Sequence, residues 1–308
     1  MQPMGKWLSG LAREIVGITY ELFKLMIPVI VLVKVIEELG GIDYISAALG
    51  PVMDLVGLPA SMGLVWATTM IVNIYGGMII FVTMPLTEPL SVAQVTVLGT
   101  MMLLAHSLPI EGRIAQKAGI GLLYTLALRV IGALVLGFIL HQIYSSGNYL
   151  SQTNEALWKP APVLDDSLLA WAMGQLMTLF QVFVIIAILV VFLRVLRWSG
   201  IENLFARALQ PVLRFLGLGE RTTSITIIGM TLGLTYGGGL LINEAKKGDI
   251  SKRDIFGSMS LLAICHSLIE DTLLITLIGG DLSGILVARV LFGVLLIALI
   301  MRLLPRTN

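Results

Sequence analysis

The chain has 308 residues, of which 57% are hydrophobic and 13% charged, with a formal net charge of +1 and a mean hydropathy of +0.94. Soluble domains carry about a quarter charged residues, so lipid must solvate much of this chain. The near-zero charge supplies no basic field for nucleic acid, and the single cysteine, Cys265, excludes an internal disulfide and any CxxC metal or redox motif.

In chain order, residues 1–19 carry Lys6 and Arg13 but no compact apolar core before a small-residue cleavage site. They predict an amphipathic helix at the membrane surface, not a removable signal peptide. A membrane crossing needs about 20 apolar residues. In the first half, residues 20–143, the candidate segments are 20–35, 60–84, 92–111 and 120–143. Residues 144–167 are polar, with Pro160, Pro162, Asp165 and Asp166, and predict a solvated linker. The second half, residues 168–308, offers 168–193, 222–242, 255–271 and 280–303.

The halves repeat one unit. GPVMDLVGL from Gly50 matches QPVLRFLGL from Gln210, and YGGMII from Tyr75 matches YGGGLLI from Tyr236. LLAHSLPIE from Leu103 matches AICHSLIED from Ala263, and LRVIGALV from Leu128 matches ARVLFGVL from Ala288. The offset stays at 160 or 161, as in His106 to His266, Tyr75 to Tyr236 and Arg129 to Arg289. Shared composition alone would not bring rare histidines and arginines into register.

Charge orients the copies. Residues 37–57 hold Glu37, Glu38, Asp43 and Asp54 and no Lys or Arg, whereas their counterpart holds Arg194, Arg197, Arg207, Arg214 and Arg221 against Glu202 and Glu220. The next loop repeats the contrast: Glu88 alone in 85–91, but Lys246, Lys247, Lys252 and Arg253 against Glu244 and Asp249 in 244–253. Basic loops stay cytoplasmic, so equivalent loops are expected on opposite faces. Within each half the two loops share a sign, so the apolar segment between them is expected to enter the bilayer and return, turning near the glycines. The expected fold is an all-α integral membrane protein of two inverted-topology repeats, each about three transmembrane helices plus a broken or re-entrant helix. Both termini are expected in the cytoplasm and the linker in the periplasm of a bacterial inner membrane. Eight full crossings are the alternative.

Ionisable groups at membrane depth mark functional sites. His106, Glu111, His266, Glu270 and Asp271 lie in two equivalent segments near the ends of crossings. Pro109 predicts a break in the first of them at Leu108. His106, Glu111, His266 and Glu270 form a metal-capable N/O set, His266 and Glu270 sharing a helix face, and the same groups suit proton relay. The alternative is that they cap a broken helix and pair with arginines. Arg129 and Arg289 sit inside apolar helices and need partners, for which Glu111 and Asp271 are the candidates; such pairs anchor an anion, gate a pathway or fix packing. Tyr75, Gly76, Gly77 and Tyr236, Gly237, Gly238 are either substrate-lining turns or tight packing points, and Asn73 is a lining candidate. Cys265 and the fifteen methionines read as packing. Ser91 and Ser251 are expected to cap the helices that follow them.

No nucleotide-binding loop, GxSxG or HExxH motif is present, so neither an enzyme nor a cofactor is expected. The paired segments with a GG-containing broken helix, a following polar helix and a final crossing resemble the Gate or nucleoside-recognition group. Its relatives are spore maturation proteins A and B, the membrane part of ferrous iron transporter B and the concentrative nucleoside transporters. The resemblance implies a permease for a small polar or ionic solute, a nucleoside or a metal ion, with the two Tyr-Gly-Gly motifs as gates. The expected function is secondary transport by alternating access, with a divalent metal permease or a non-transporting scaffold subunit as alternatives. The partners expected are the solute or ion, the lipid bilayer and, as an open option, a second copy.

Overall fold

The computed structural model describes residues 4–84, 86, 88–159 and 167–303, leaving aside the side chains of 4–7, 43, 201–203 and 235. Helices α1 (Met4–Glu38), α2 (Gly41–Leu55), α3 (Met62–Ile71), α4 (Ile74–Thr83), α5 (Val92–Leu104), α6 (Leu108–Lys117) and α7 (Leu122–Gly147) form the first half. Helices α8 (Leu168–Ser199), α9 (Ile201–Phe215), α10 (Glu220–Leu232), α11 (Leu234–Lys247), α12 (Lys252–Ile264), α13 (Glu270–Leu277) and α14 (Arg289–Leu303) form the second, a π-helical turn at Ser283–Ala288 leading into α14. The order of elements repeats: a long helix, a 15-residue helix (α2, α9), two short ones, a 13-residue helix (α5, α12), a short one and a long one. The protein is an all-α membrane protein.

Five segments are long and apolar enough to cross a bilayer among the described residues: Leu8–Glu38, Val92–Lys117, Leu122–Gly147, Leu168–Ser199 and Ser283–Leu303. The sixth expected crossing falls on α12 and α13, which the non-helical stretch 265–269 separates. The expected surface helix and first crossing are one element. At 35 residues α1 is about 52 Å long, well beyond a hydrocarbon core of about 30 Å, so it tilts or projects. Its most apolar window is only 11% buried, with Val16, Tyr20, Val31 and Leu32 outward, a face suited to lipid.

Segments 60–84 and 222–242 fold back on themselves. Residues eight apart on a straight helix are about 12 Å apart, yet a Cβ on Gly77 would run into Thr69 and one on Gly237 into the Cα of Gly229. So α3 with α4, and α10 with α11, are hairpins, and α3 and α4, at 10 residues each, are about 15 Å long, half a bilayer core. The turn comes before the Tyr-Gly-Gly motifs, not at them. Asn73 turns the first, its Oδ1 accepting from Gly76 N at 2.8 Å to cap α4; Gly233 turns the second at φ 96°, where a side chain would be strained. The motif glycines instead let the returning helix pack closely.

The 13-residue helices start as expected. Ser91 Oγ accepts from Gln94 N in a full capping box, and Ser251 accepts from Asp254 N. The linker is less free than its polarity predicts. Val92 N donates to Gln152 O at 3.0 Å and Asn154 N to Leu90 O at 2.8 Å. Asn154 Nδ2 then donates to Ile278 O at 2.9 Å, and Trp158, itself buried, donates to Leu277 O at 2.9 Å and to Gln181 Oε1 at 2.8 Å. Up to Lys159 the segment is a strap tying the halves together; Pro160, Pro162, Asp165 and Asp166 lie outside the described residues.

Candidate functional site

Two helices of equal length stop inside the protein at matched points. Helix α5 ends at Leu104 and α12 at Ile264, and the chain passes through Ser107 (φ 47°) and Ser267 (φ 46°) before helix resumes. A left-handed non-glycine residue costs roughly 1–2 kcal/mol and persists where its surroundings hold it. Here Ser107 N donates to Thr69 O at 3.1 Å and Ser107 Oγ to Val72 O at 3.1 Å; both acceptors belong to the end of α3. Leu268 N donates to Met230 O at 2.8 Å in the second copy. Each break is thus stitched to the tip of its own hairpin. Pro109 does not make the break, as its ring predicts; it opens α6, where a missing N–H costs nothing.

The breaks bring the histidines together. His106 Nδ1 lies 3.1 Å from Met102 O and His266 Nδ1 lies 2.7 Å from Leu262 O. A carbonyl only accepts, so each Nδ1 carries the proton and each Nε2 of a neutral ring is bare. Those two Nε2 atoms are 2.9 Å apart. Residues at equivalent places in the two sequence repeats thus touch each other. Glu111 Oε1 is 3.2 Å from His106 Nε2 and 3.3 Å from His266 Nε2, and Asp271 Oδ2 is 3.9 Å from His106 Nε2. The rings are only 5% and 2% exposed, so water does not separate these lone pairs. Acceptors this close are stable only around a cation, a shared proton or a metal ion.

The arginines close the severed helix ends. Arg129, on α7, donates from Nε to Leu104 O at 2.8 Å and forms an ion pair with Glu111 through Nη1. Arg289, on α14, donates from Nε to Ile264 O at 2.9 Å and from Nη2 to His266 O at 2.8 Å. The expected pairing of Arg129 with Glu111 is present; that of Arg289 with Asp271 is not. Aspartate is one methylene shorter than glutamate, and Arg289 Nη2 is turned to the His266 carbonyl. Asp271 Oδ2 and Arg289 Nη1 are left buried without hydrogen-bond partners among the described residues.

Other predicted site residues are placed differently. Glu270 does not join the histidines; it accepts a long 3.5 Å bond from Tyr75 Oη. Asp271 takes its place, with its oxygen and the two imidazoles converging within 4.8 Å. The repeat register had pointed there, because Glu111 aligns with Asp271 and not with Glu270. Asn73 is a helix cap, although its Nδ2 is buried and unpartnered. Gly77, Gly237 and Gly238 are packing points between helices, whereas a Cβ on Gly76 would meet only Val72 and Asn73 of its own turn; a Cβ on Gly238 would come within 2.6 Å of Ile114 on α6 of the other copy. Tyr75 is buried, whereas Tyr236 is 65% exposed, so the two Tyr-Gly-Gly motifs do not have equivalent surroundings. Cys265 Sγ is spent on Arg289 O at 3.4 Å and takes no part in the cluster.

Helix ends, hairpin tips and both arginines therefore converge on one buried, acceptor-rich centre between two copies of a unit. No family model matches the chain, and no solved structure does. It is 31% identical over 296 residues to an uncharacterized membrane protein, YvoD, of Bacillus subtilis (strain 168), the match covering 94% of this chain and 92% of that protein.

Proposed function

The chain belongs to the same family as that Bacillus subtilis membrane protein, and we propose that it is a multi-pass permease of the cytoplasmic membrane that carries a small cation by alternating access between its two repeats. One observation carries this reading: histidines at equivalent positions of the two sequence repeats meet Nε2 to Nε2 at 2.9 Å, with Glu111 against both. Transporters built from inverted repeats bind their cargo at that interface, beside interrupted helices. Inversion is supported by Glu14, near the start of α1, meeting Arg194 and Arg197, near the end of its counterpart α8. The unequal exposure of Tyr75 and Tyr236 supports a mechanism in which the halves exchange two arrangements. With no nucleotide-binding motif in the chain, the driving force is a gradient or a separate ATPase subunit.

Topology gives the first check. Cysteines introduced at Glu88 and Gly248 are expected to react with an impermeant thiol reagent from opposite faces of the membrane; labelling from the same face removes the inverted arrangement. The second check is flux. Proteoliposomes holding the full chain should take up protons or a divalent cation faster than empty ones. His106→Ala or His266→Ala should reduce that rate at least about tenfold, each removing one of the converging acceptors at membrane depth. If no cation moves faster than in empty vesicles, the permease reading fails. A second reading, a non-transporting subunit of a membrane complex, draws on the burial of both rings; it gains if a stoichiometric partner co-purifies and flux is absent.

A further inference from the structure

We infer that the central cluster is a four-ligand site for a divalent transition-metal ion, with His106 Nε2, His266 Nε2, Glu111 Oε1 and Asp271 Oδ2 as ligands. This deepens the cation-permease reading and rests on it only for the claim that the ion is cargo.

The spacing fits a metal. Ligands about 2.0–2.1 Å from a tetrahedral ion stand roughly 3.3 Å from one another. Four of the six pairs are 3.2 and 3.3 Å for Glu111 with the two rings, 2.9 Å between the rings and 3.9 Å from Asp271 to His106; Asp271 Oδ2 is only within 4.8 Å of both rings, so three ligands stand in place and this carboxylate has to close on the ion as the fourth. A single proton satisfies one pair of acceptors. It would bridge the two imidazoles and leave Glu111 Oε1 facing them and Asp271 Oδ2, buried and unpartnered, with nothing to accept from. One ion among all four accounts for every orphaned lone pair at once.

The supporting groups are those a metal site uses. Each ring is oriented by its Nδ1 proton on a backbone carbonyl, which fixes the tautomer and aims Nε2 inward. Glu111 is steadied through its other oxygen by Arg129. Two imidazoles and two carboxylates suit zinc, ferrous iron, manganese or cobalt, whereas calcium takes six to eight oxygens and magnesium keeps much of its water. Arg129 and Arg289 balance the charge of Glu111 and Asp271. The ion therefore enters a site with no net negative charge from these four groups, and is held less tightly than in a structural site. Loose tenure is what a carried ion requires.

The probe is Co²⁺, added to the full chain in detergent after chelator treatment. The expected result is one Co²⁺ per chain with the intense visible absorption of a tetrahedral centre, abolished by Zn²⁺ competition. His266→Gln and Asp271→Asn should weaken binding by at least about tenfold, while Glu270→Gln, which removes only the partner of Tyr75, leaves it within about threefold. Wild-type protein that binds no Co²⁺, or binds it without the tetrahedral signature, overturns the assignment and does so without any variant needing to fold. Binding unchanged in both ligand variants also overturns it. Vesicle flux separates the two claims: Co²⁺ bound while neither Co²⁺ nor protons move sinks the permease reading and leaves the metal site, whereas proton flux without Co²⁺ binding sinks the metal site and leaves the permease.

Discussion

Arg129→Leu is expected to destabilise the folded protein by about 3–5 kcal/mol, the loss seen when one partner of a buried ion pair is removed and the other is left uncompensated. Arg129 is 1% exposed and is the ion-pair partner of Glu111. It also satisfies the Leu104 carbonyl at the severed end of α5, and an orphaned buried acceptor costs a further 1–3 kcal/mol or so. The double variant Arg129→Leu with Glu111→Leu should recover most of the ion-pair loss, because two apolar side chains of similar volume replace a buried pair at little cost. It should not recover cation binding. Unfolding in detergent, followed by thermal or denaturant titration, measures both. A single variant as stable as wild type would mean that Glu111 finds another partner or is uncharged, and that Arg129 is not what closes the broken helix.

Gly237→Val is expected to have the next largest effect, at or above the roughly 1–3 kcal/mol usual for overpacking. The Cβ at Gly237 meets the Gly229 backbone, and a backbone cannot rotate out of the way. Helices α10 and α11 would have to separate, pulling Met230 O away from Leu268 N and loosening the break that aims His266. Gly77→Ala is the informative comparison. There the obstacle is the Thr69 hydroxyl, a side-chain atom bonded to Val65 O that can turn aside with the loss of one hydrogen bond. Gly239→Ala, with nothing within 4 Å, should be neutral or stabilising, since alanine is the better helix former by about 1 kcal/mol. Unfolding midpoints ordered otherwise would show that the hairpins are not packed through these glycines.

Much of this was legible because the chain repeats itself. Register alone placed Ser91 with Ser251, His106 with His266 and Arg129 with Arg289, and each pair does the same local job in both copies. Fold-back of the two apolar segments was legible from loop charge. What was lost depended on reach and direction. Glu270 and Asp271 are adjacent in sequence, and only the exit angle of the chain after Ser267 decides which faces the histidines. The turn at Asn73 was hidden behind the more conspicuous glycines beside it. The continuity of α1 was obscured by a change in polarity near Tyr20, although no residue there stops a helix. The strap from Asn148 to Lys159 is tied to both halves mainly through its backbone, which any sequence supplies, while most of its polar side chains face outward and read as those of a free linker.

The missing salt link between Asp271 and Arg289 has a consequence for how an empty carrier waits. Two identical inverted halves would make the inward- and outward-facing forms equal in energy, and a resting population would divide evenly between compartments. A carboxylate that reaches its arginine in one half and falls a carbon short in the other lifts that degeneracy. A gap of only about 1.4 kcal/mol skews such a population tenfold. Under the permease reading, that methylene adds to the other differences between the duplicated halves in setting the side on which this protein waits for its ion.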